Sequence, residues 1–258
     1  MTEISGVVIS HGHTDELATL LPRLAPQVDE LVVVANRPGS VPDELPPDAR
    51  VLENAVPRRL SENVNLAVAA TSGSWVLFSN PDVVPDPDAV GVLHGFATTR
   101  ERCGIAGPRT VWPDGSWQPT RRSFPTVRGT LVRRTPLRRV FPPLERQRDH
   151  YHLDEDVTAP VEADWLLGAF LLMRRVMLEE LGGFDEGYRH YVEDIDLCYR
   201  AMRSGWERWY VPAAVVRHEY AAVIDRRFLS RHTLWHLRGM ARFARRHPEA
   251  LLGRSTLD

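Results

Sequence analysis

The stretch GGFDEGYRHYVEDIDLCYRAMRSG, residues 182–205, carries most of the information in this chain. Three acids follow its glycine pair within four positions of one another: Glu193, Asp194 and Asp196. Apolar residues then recur at the i, i+3, i+4 and i+7 spacing of an amphipathic helix, at Ile195, Cys198, Tyr199 and Met202. Gly205 stands where such a helix would end. The stretch therefore predicts a helix with an acid cluster in or just before its first turn.

The acid cluster has two explanations. Negative charge at a helix N-terminus is stabilised by free N–H groups and the helix dipole, by roughly 0.3–1 kcal/mol per exposed group, so ordinary helix-start chemistry can account for it. The flanking segments favour a functional site instead. A strand-like run at 164–173 precedes the acids. Two short strands follow within 206–216, divided by Pro212, and lead to His218. Such flanks can bring an acid/base group and a metal ligand together.

Three segments carry a resemblance to a known family. They are GAFLLMRR at 168–175, LGGFDEGYRHYVEDIDLCYR at 181–200 and GWERWYVPAAVVRH at 205–218. Together they resemble the C-terminal half of the family-2 inverting glycosyltransferases with the GT-A fold, and most of all the bacterial dTDP-rhamnosyltransferases of cell-wall and polysaccharide assembly. The resemblance covers nearly the whole length, with weaker motifs before Asn80. It implies an α/β fold of the GT-A type, a Rossmann-like mixed, mainly parallel sheet with helices on both faces.

Length and composition limit the class of protein. With 258 residues, 43% of them apolar, the chain can hold one large α/β domain or two small ones. We expect a single GT-A domain over 1–258, with a nucleotide-sugar half at about 1–110, a metal, base and acceptor half at about 150–222, and a C-terminal helix at about 225–250. The net charge of −2 argues against nucleic acid as a partner, because phosphate contacts need a dominant basic surface.

The sequence also bears on cellular location. No apolar run approaches the roughly 18–20 residues of a membrane span, and the N-terminus lacks the charged-then-apolar plan of a signal peptide. These features predict a cytoplasmic protein. Cys103 and Cys198 are the only cysteines, too few for a disulfide framework or a thiolate metal site, so we expect both to be small buried hydrophobes.

Short apolar runs alternate with helical segments in the first hundred residues. Strands are predicted at 7–9, 31–34, 51–52 and 75–78, and helices from Asp15 to about Leu24, over 60–70 and from near Asp86. A further short strand at 104–107 and a hairpin from Val111 to Trp117 are expected next. Continuous apolar strands between helices indicate a parallel sheet covered on both faces. Such sheets bind ligands beyond the carboxyl ends of their strands, where His11, Asn36 and Asp82 stand.

Asn80-Pro81-Asp82 follows the fourth of these strands. By itself the triplet indicates a turn. By resemblance it matches the family's DxD-type motif, whose last Asp holds a divalent cation on the donor diphosphate, although Asn80 replaces the first carboxylate. The resemblance gives His218 as the other protein ligand, whereas a His at a strand end is otherwise a common surface residue. Mg²⁺ or Mn²⁺ suits such a site because either takes remaining ligands from phosphate and water, and imidazole favours Mn²⁺.

The resemblance also assigns side chains to the nucleotide: His11, Asn36, Asn65, Asn80 and Asp82. This part of the match is weaker. Ala35 replaces an Asp that the family usually has, and Arg59 and Ser61 replace glycines. Ala35 would remove a carboxylate contact to the base or ribose, whereas Arg59 and Ser61 are compatible with an Arg contact to phosphate or with a different loop.

The catalytic assignments rest on the resemblance too. It makes Asp194 the general base that takes the proton from the acceptor hydroxyl, with Glu193 orienting acceptor or base. Trp165 and Gly168 would lie beside the acceptor or donor sugar. The start of a helix is expected to keep the pKa of Asp194 low, and Asp196, a step further on, is expected to be a structural acid. The implied reaction is a single displacement without a protein nucleophile.

Two basic segments have two explanations each. An Arg-rich stretch at 121–148 is either a loop over the acceptor site, engaging a lipid diphosphate or an anionic membrane surface, or a solvated loop. All 32 cationic side chains are Arg, which weakens any single Arg cluster as an indication of phosphate binding. The tail at 226–247 predicts a basic amphipathic helix. Two roles are expected for this helix. One is to lie on anionic lipid at the inner face of the membrane, and the other is to pack against the domain or against a second subunit in a homodimer.

The sequence therefore predicts an inverting glycosyltransferase that moves a sugar from a nucleotide-sugar donor to a saccharide or lipid-linked acceptor, with dTDP-rhamnose as the donor favoured by resemblance. One alternative is a sugar-nucleotide nucleotidyltransferase, but the chain has neither a Gly-rich phosphate loop near its first strand nor any Lys for such a site. The other is a catalytically silent binding protein of the same fold, suggested by the changes at Ala35, Arg59 and Ser61.

Overall fold

The structure, a computed structural model, describes residues 3–125, 156–219 and 231–252. Its strands are β1 Ile4–Ser10, β2 Glu30–Ala35, β3 Ala49–Glu53, β4 Trp75–Ser79, β5 Val83–Pro85, β6 Cys103–Val111, β7 Trp117–Gln118, β8 Arg121–Arg122, β9 Val161–Glu162, β10 Trp165–Leu166, β11 Phe170–Arg174 and β12 Glu207–His218. Its α-helices are α1 Thr14–Leu24, α2 Leu60–Ala69, α3 Ala89–Thr98, α4 Arg175–Leu181, α5 Glu193–Arg203 and α6 Arg231–Arg246. None of the helices described is long and apolar enough to cross a membrane.

One large sheet runs in the order β3-β2-β1-β4-β11-β6-β12-β5. Parallel pairs join β3 to β2, β2 to β1, β1 to β4, and β6 to β12. β11 enters antiparallel between β4 and β6, and β5 pairs antiparallel with β12. β7 and β9 extend this sheet, and β8 and β10 form a small separate one. The predicted α/β fold with a mixed, mainly parallel sheet is confirmed.

Apolar side chains cover both faces of the large sheet. Alternate residues of β1 and β2 point into two different cores. The first core contains Val7, Ile9, Val32 and Val34, and the second contains Val8, Leu31 and Val33. Helices α2, α4, α5 and α6 pack on the first core, and α1 and α3 on the second. Burial on both faces explains why these strands are continuous apolar runs in the sequence.

The carboxyl ends of four strands lie along one edge of the sheet. β1, β2 and β4 are parallel neighbours, and His11, Asn36 and Asn80 directly follow their last residues. β12 runs in the same direction, because the two antiparallel steps through β11 restore the orientation of β4 in β6 and its parallel partner. His218, the last residue of β12, therefore lies on this edge as well.

Two helices start elsewhere than predicted. His13, not Asp15, is the N-cap residue of α1, because its N–H bonds the Ser10 hydroxyl at 3.2 Å and turns the chain into the helix early. The next difference lies at α3, which begins three residues after Asp86. The N–H of Asp86 donates to the carbonyl of Val215 at 3.1 Å, which keeps this residue beside β12 and delays the helix.

The run at 164–173 is two strands, so the prediction of a single strand is wrong. β10 pairs with β8, whereas β11 pairs with β4 and β6. The chain leaves the ladder between them because its N–H groups bond elsewhere. Leu167 N donates to Thr120 O at 3.0 Å, and Gly168 N donates to the Asp194 carboxylate at 3.0 Å.

The prediction of two strands divided by Pro212 is also wrong, since β12 is continuous from Glu207 to His218. Its register against β6 shifts between Val211 and Val215. The extra residues form a bulge that contains Pro212. Residues in a bulge are not paired with the neighbouring strand, so the N–H that proline lacks is not needed there. The strand can therefore carry His218 to the ligand edge.

Several other predictions agree with the structure. The hairpin forms with Val111 opposite Trp117, although β6 is longer than the strand predicted at 104–107. α5 starts with the acid cluster and ends just before Gly205, whose φ is 76°. Both cysteines are buried and free.

The two basic segments are described in part. Arg121 and Arg122 form β8, and residues 126–148 of the stretch lie outside the described residues. The tail helix is α6, which buries Met240 and Phe243 against the rest of the chain. The first predicted residues of that helix, 226–230, also lie outside the described ranges.

Candidate active site

The structure brings Asp194 against Gly168. One carboxylate oxygen, Oδ2, accepts the N–H of Gly168 at 3.0 Å, and Oδ1 accepts the N–H of Ile195 at 2.9 Å. A Cβ at position 168 would lie 3.0 Å from Cβ of Asp194, so any larger residue would push the Asp194 side chain away by a few tenths of an ångström. Two of the predicted site residues thus form one unit, held by backbone donors from two elements.

Glu193 and Asp194 are a buried carboxyl pair. Burial raises the pKa of Asp194, and the two backbone hydrogen bonds and the charge of Arg122 offset only part of this. The low pKa expected at a helix start is therefore not found. Burial also raises the pKa of Glu193, to about 8, with the charge of Asp194 as the next cause. Because the two N–H donors serve Asp194, a negative charge on the pair is favoured on Asp194 and a proton on Glu193.

Asp196 has a different environment from this pair. It is fully buried and accepts hydrogen bonds from Tyr188 Oη at 3.0 Å, Arg200 Nε at 2.7 Å and His247 Nε2 at 2.9 Å. Burial acts to raise its pKa, but bonds from His247 and Arg200 outweigh burial and hold the pKa below its usual value. These contacts support the interpretation of Asp196 as a structural acid.

The two predicted metal ligands also meet. His218 Nε2 lies 3.4 Å from Asp82 Oδ1, and His218 Nδ1 lies 3.2 Å from Gln118 Oε1. When Nδ1 of His218 donates its hydrogen to Gln118, a lone pair on Nε2 faces the Asp82 carboxylate. Two electron-pair donors then face each other, an arrangement that a cation between them would stabilise. Neighbouring ligand atoms of an octahedral ion lie about 3 Å apart, so this spacing fits a divalent cation.

The protein would supply only part of the coordination. Nowhere in the described ranges do three His, Cys, Asp or Glu side chains gather closely enough to hold a metal ion by themselves. Asp82 is partly exposed, with 29% of its side chain accessible, whereas His218 is almost fully buried. A cation here would complete its shell with oxygens of a ligand or water, which suits Mg²⁺ and Mn²⁺.

Asn36 is tied into the protein beside His11. Its Oδ1 accepts Arg58 N at 2.7 Å and Asn54 Nδ2 at 3.0 Å, and its Nδ2 donates to Arg58 O at 2.9 Å. The same Nδ2 lies 3.0 Å from Nδ1 of His11. Asn54 in turn donates to Asn63 Oδ1 at 2.6 Å. Sequence reasoning missed Asn54, which precedes the predicted α2, and Asn63, which lies within it. The nucleotide roles of His11 and Asn36 stay predictions.

Asn65 lies against a different part of the chain. Its Nδ2 donates to Phe184 O and to Glu186 Oε1, both at 2.9 Å, and its Oδ1 accepts Phe184 N at 2.9 Å. Arg59 donates to Glu186 O at 2.9 Å. Among the described residues no hydrogen bond joins Asn65 to His11 or Asn36. Asn65 and Arg59 therefore anchor the turn that precedes α5, which agrees with the different-loop alternative.

Trp165 is buried, and its indole N–H bonds within the protein. Its indole N–H donates to Ser123 O at 2.9 Å, and the Arg122 guanidinium carbon lies 4.9 Å from the centre of a Trp165 ring. Burial raises the pKa of Asp194, and the charge of Arg122 acts against this rise. Sequence reasoning placed Arg122 in the Arg-rich stretch but not among the site residues, because in a chain without Lys it was one Arg among many.

The residues just before the acid pair have an unusual backbone. Tyr191 and Val192 have φ of 71° and 77°, in the left-handed region. A β-branched residue rarely adopts this conformation, and each such residue costs about 1–3 kcal/mol. Burial lowers the pKa of His190 in this loop to about 4, and the charges of His232 and His11 add to the effect. Because His11 directly follows β1, the loop lies near the carboxyl end of that strand. No sequence signal marked this strain.

Helix α6 packs directly on the strained pair. A Cβ at Gly239 would lie 3.0 Å from Val192 Cγ2 and 3.1 Å from Tyr191 O. The Tyr191 hydroxyl lies 3.1 Å from Nδ1 of His232, at the start of the same helix. Further along, Arg242 forms an ion pair with Asp185 at 2.8 Å.

Comparison with known proteins agrees with this architecture. Residues 31–238 match the family described as Glycosyltransferase like family 2. The chain is 36% identical over 148 residues to the N-acetylglucosaminyl-diphospho-decaprenol L-rhamnosyltransferase of Mycobacterium tuberculosis, covering 57% of this chain and 47% of that relative. It is 26% identical to the rhamnosyltransferase WbbL of Escherichia coli K12, covering 93% and 92%. The chain thus spans about half the length of the mycobacterial relative.

A likeness in structure supports the fold. The crystal structure of GalNAc-T7 with UDP, GalNAc and Mn²⁺ superposes with a TM-score of 0.60 at 14% identity, over 85% of this chain and 44% of that one. The GT-A fold predicted from the sequence is confirmed. Since the family match covers most of the chain, including the acid pair and both residues of the Asp82–His218 contact, this protein belongs to the glycosyltransferase-like family 2.

Proposed function

We propose that this protein transfers a rhamnosyl group, with inversion, from a nucleoside-diphosphate donor to a hydroxyl group of a saccharide or lipid-linked acceptor. Membership of the family supports sugar transfer. Two relatives named as rhamnosyltransferases support the sugar, and the name of the mycobacterial relative supports a lipid diphosphate acceptor. We propose dTDP as the nucleotide of the donor.

The observation that carries this proposal is the asymmetry of the buried carboxyl pair. Asp194 alone receives two backbone N–H bonds, so it is the member that stays ionised and can accept a proton. In the proposed reaction Asp194 takes the proton of the acceptor hydroxyl while that oxygen bonds to the anomeric carbon. The bond from that carbon to the diphosphate breaks, and the nucleoside diphosphate leaves with its electron pair. Glu193, protonated, can donate a hydrogen bond that orients the acceptor.

Asp82 and His218 would hold the divalent cation, Mn²⁺ or Mg²⁺, and the imidazole favours Mn²⁺. When bound there, the cation would offset the charge that develops on the departing diphosphate. Asp82 follows β4 and His218 ends β12, on the edge of the sheet that also holds His11, Asn36 and Asn80. This edge is where an α/β sheet binds nucleotides, which supports those residues as the nucleotide side of the site.

The test is a comparison of donors in the presence of Mn²⁺. Purified protein is incubated with dTDP-rhamnose or with a UDP-hexose, together with a soluble N-acetylglucosaminyl-diphospho-lipid, and the released nucleotide and glycosylated lipid are measured. We expect preferential turnover of dTDP-rhamnose with an inverted linkage. Faster turnover of the UDP-hexose would overturn the donor assignment. Pyrophosphate-dependent exchange would indicate a nucleotidyltransferase instead, and nucleotide binding without turnover a silent binding protein.

A further inference from the structure

The direction in which the acid pair points is set by the residue before it. Val192 is the N-cap residue of α5, and its φ of 77° determines how the chain enters the helix. Glu193 and Asp194 are the first two residues of that helix. A change of conformation at Val192 would therefore rotate the first turn of α5 and move Asp194 away from Gly168.

The strained pair is held from outside its own loop. Helix α6 packs over Tyr191 and Val192 so closely that a Cβ at Gly239 would lie 3.0 Å from Val192 Cγ2 and 3.1 Å from the Tyr191 carbonyl oxygen, which limits how far the pair can move. The approach depends on the missing side chain at position 239. Glycine inside a helix is otherwise less favourable than alanine by about 1 kcal/mol, so the close approach offsets a cost in helix propensity.

We infer that Gly239 is a positioning residue for the carboxyl pair, because it lets α6 clamp Tyr191 and Val192 in the left-handed conformation that aims Asp194 at Gly168. The inference rests on the proposed role of Asp194 as the base. Gly239 acts through the loop and contacts no substrate.

The experiment compares two helical glycines. Gly239→Ala adds a methyl group about 3 Å from the clamped loop, whereas Gly95→Ala in α3 adds one where nothing lies within 4 Å. We expect Gly95→Ala to raise Tm by about 2–4 °C with unchanged kinetics, as a normal gain in helix propensity. Gly239→Ala is expected to lower kcat at least 10-fold with little change in KM for the donor. Wild-type kcat in Gly239→Ala would overturn the inference.

A second readout separates positioning from a general loss of stability. Burial raises the pKa of Asp194, and the N–H groups of Gly168 and Ile195 and the charge of Arg122 in β8 act against it, with Glu193 as the neighbouring acid. A displaced pair admits water, so the acidic limb of the kcat/KM profile should move to lower pH in Gly239→Ala. A variant with lower Tm but an unshifted profile would mean a structural role only, and would overturn the inference.

Rescue and hydrogen exchange complete the test. Val192→Gly removes the Cγ2 contact and tolerates positive φ, so adding it to Gly239→Ala should restore at least part of kcat. Amides of 188–196 should exchange faster in Gly239→Ala and not in Gly95→Ala, a result that needs no activity. Unchanged exchange would overturn the inference, whereas full activity of Asp194→Asn would overturn the base assignment instead.

Discussion

Replacing each of two neighbouring acids by asparagine should separate catalysis from folding. Asp194→Asn keeps the shape of the side chain but removes its capacity to take a proton. General-base catalysis contributes about 10²–10⁴-fold, or about 2.7–5.5 kcal/mol in the barrier, and we expect turnover to fall by this factor. The amide can still accept one of the two backbone bonds, and the buried charge is lost, so the protein should stay folded and bind the nucleotide.

Asp196→Asn should have the opposite effect. Asp196 is fully buried and accepts bonds from Tyr188, Arg200 and His247. An amide would leave the Arg200 charge without its buried partner, and breaking such a pair costs about 3–5 kcal/mol. For a chain of this size the fall in Tm would be roughly 6–20 °C. This exceeds the effect of less than about 1 kcal/mol that the helix dipole alone would give.

The assay measures dTDP release from dTDP-rhamnose with Mn²⁺ and a soluble N-acetylglucosaminyl-diphospho-lipid, and Tm by differential scanning fluorimetry. Asp15→Asn is the matched control, because Asp15 is an exposed acid in the first turn of α1. It should change neither quantity appreciably. The reasoning is refuted if Asp194→Asn keeps near-normal turnover while Asp196→Asn abolishes turnover at an unchanged Tm. The base would then be Asp196.

Three further outcomes can be checked. Asp82→Ala should abolish the Mn²⁺ dependence of dTDP binding in titration calorimetry, and an unaltered dependence would remove Asp82 from the metal site. Gln118→Leu should weaken Mn²⁺ binding about 10–100-fold in electron paramagnetic resonance, since His218 loses the partner that orients its ring; equal affinity would contradict this. Burial raises the pKa of Glu193 to about 8, so its contribution to stability is complete below the unfolded value of 4.5 and is lost as pH rises through 8. Glu193→Gln should therefore flatten the fall of Tm between about pH 5 and pH 8, and parallel curves for the two proteins would disprove the assignment.

Sequence reasoning succeeded where the deciding signal is local. Continuous apolar runs predicted β1, β2 and β4, and the acid cluster with its helical spacing predicted the start of α5. The resemblance assigned Asp82 and His218 to one metal site, and these two residues do lie together. It assigned Asp194 and Gly168 to separate roles, and their direct hydrogen bond was not predicted.

The features that were missed depend on contacts between distant parts of the chain. The break at Gly168 exists because its N–H serves a carboxylate of α5. Gln118 reaches His218 only after the hairpin of β6 and β7 has formed. The left-handed conformation of Val192 requires α6 above it, and valine gives no local indication of such a φ. Burial, not position in the helix, decides the direction of the Asp194 pKa.

The insertion of β11 between β4 and β6 has a consequence during synthesis on the ribosome. β4 ends at Ser79, but the strand that covers its free edge begins only at Phe170. At about 5–20 residues per second, that edge waits roughly 5–20 s for its partner. An unpaired apolar strand edge is a template for association with other chains. Nascent chains of this protein therefore pass through a period in which crowding on a polysome favours aggregation, and slow translation between these two strands would lengthen it.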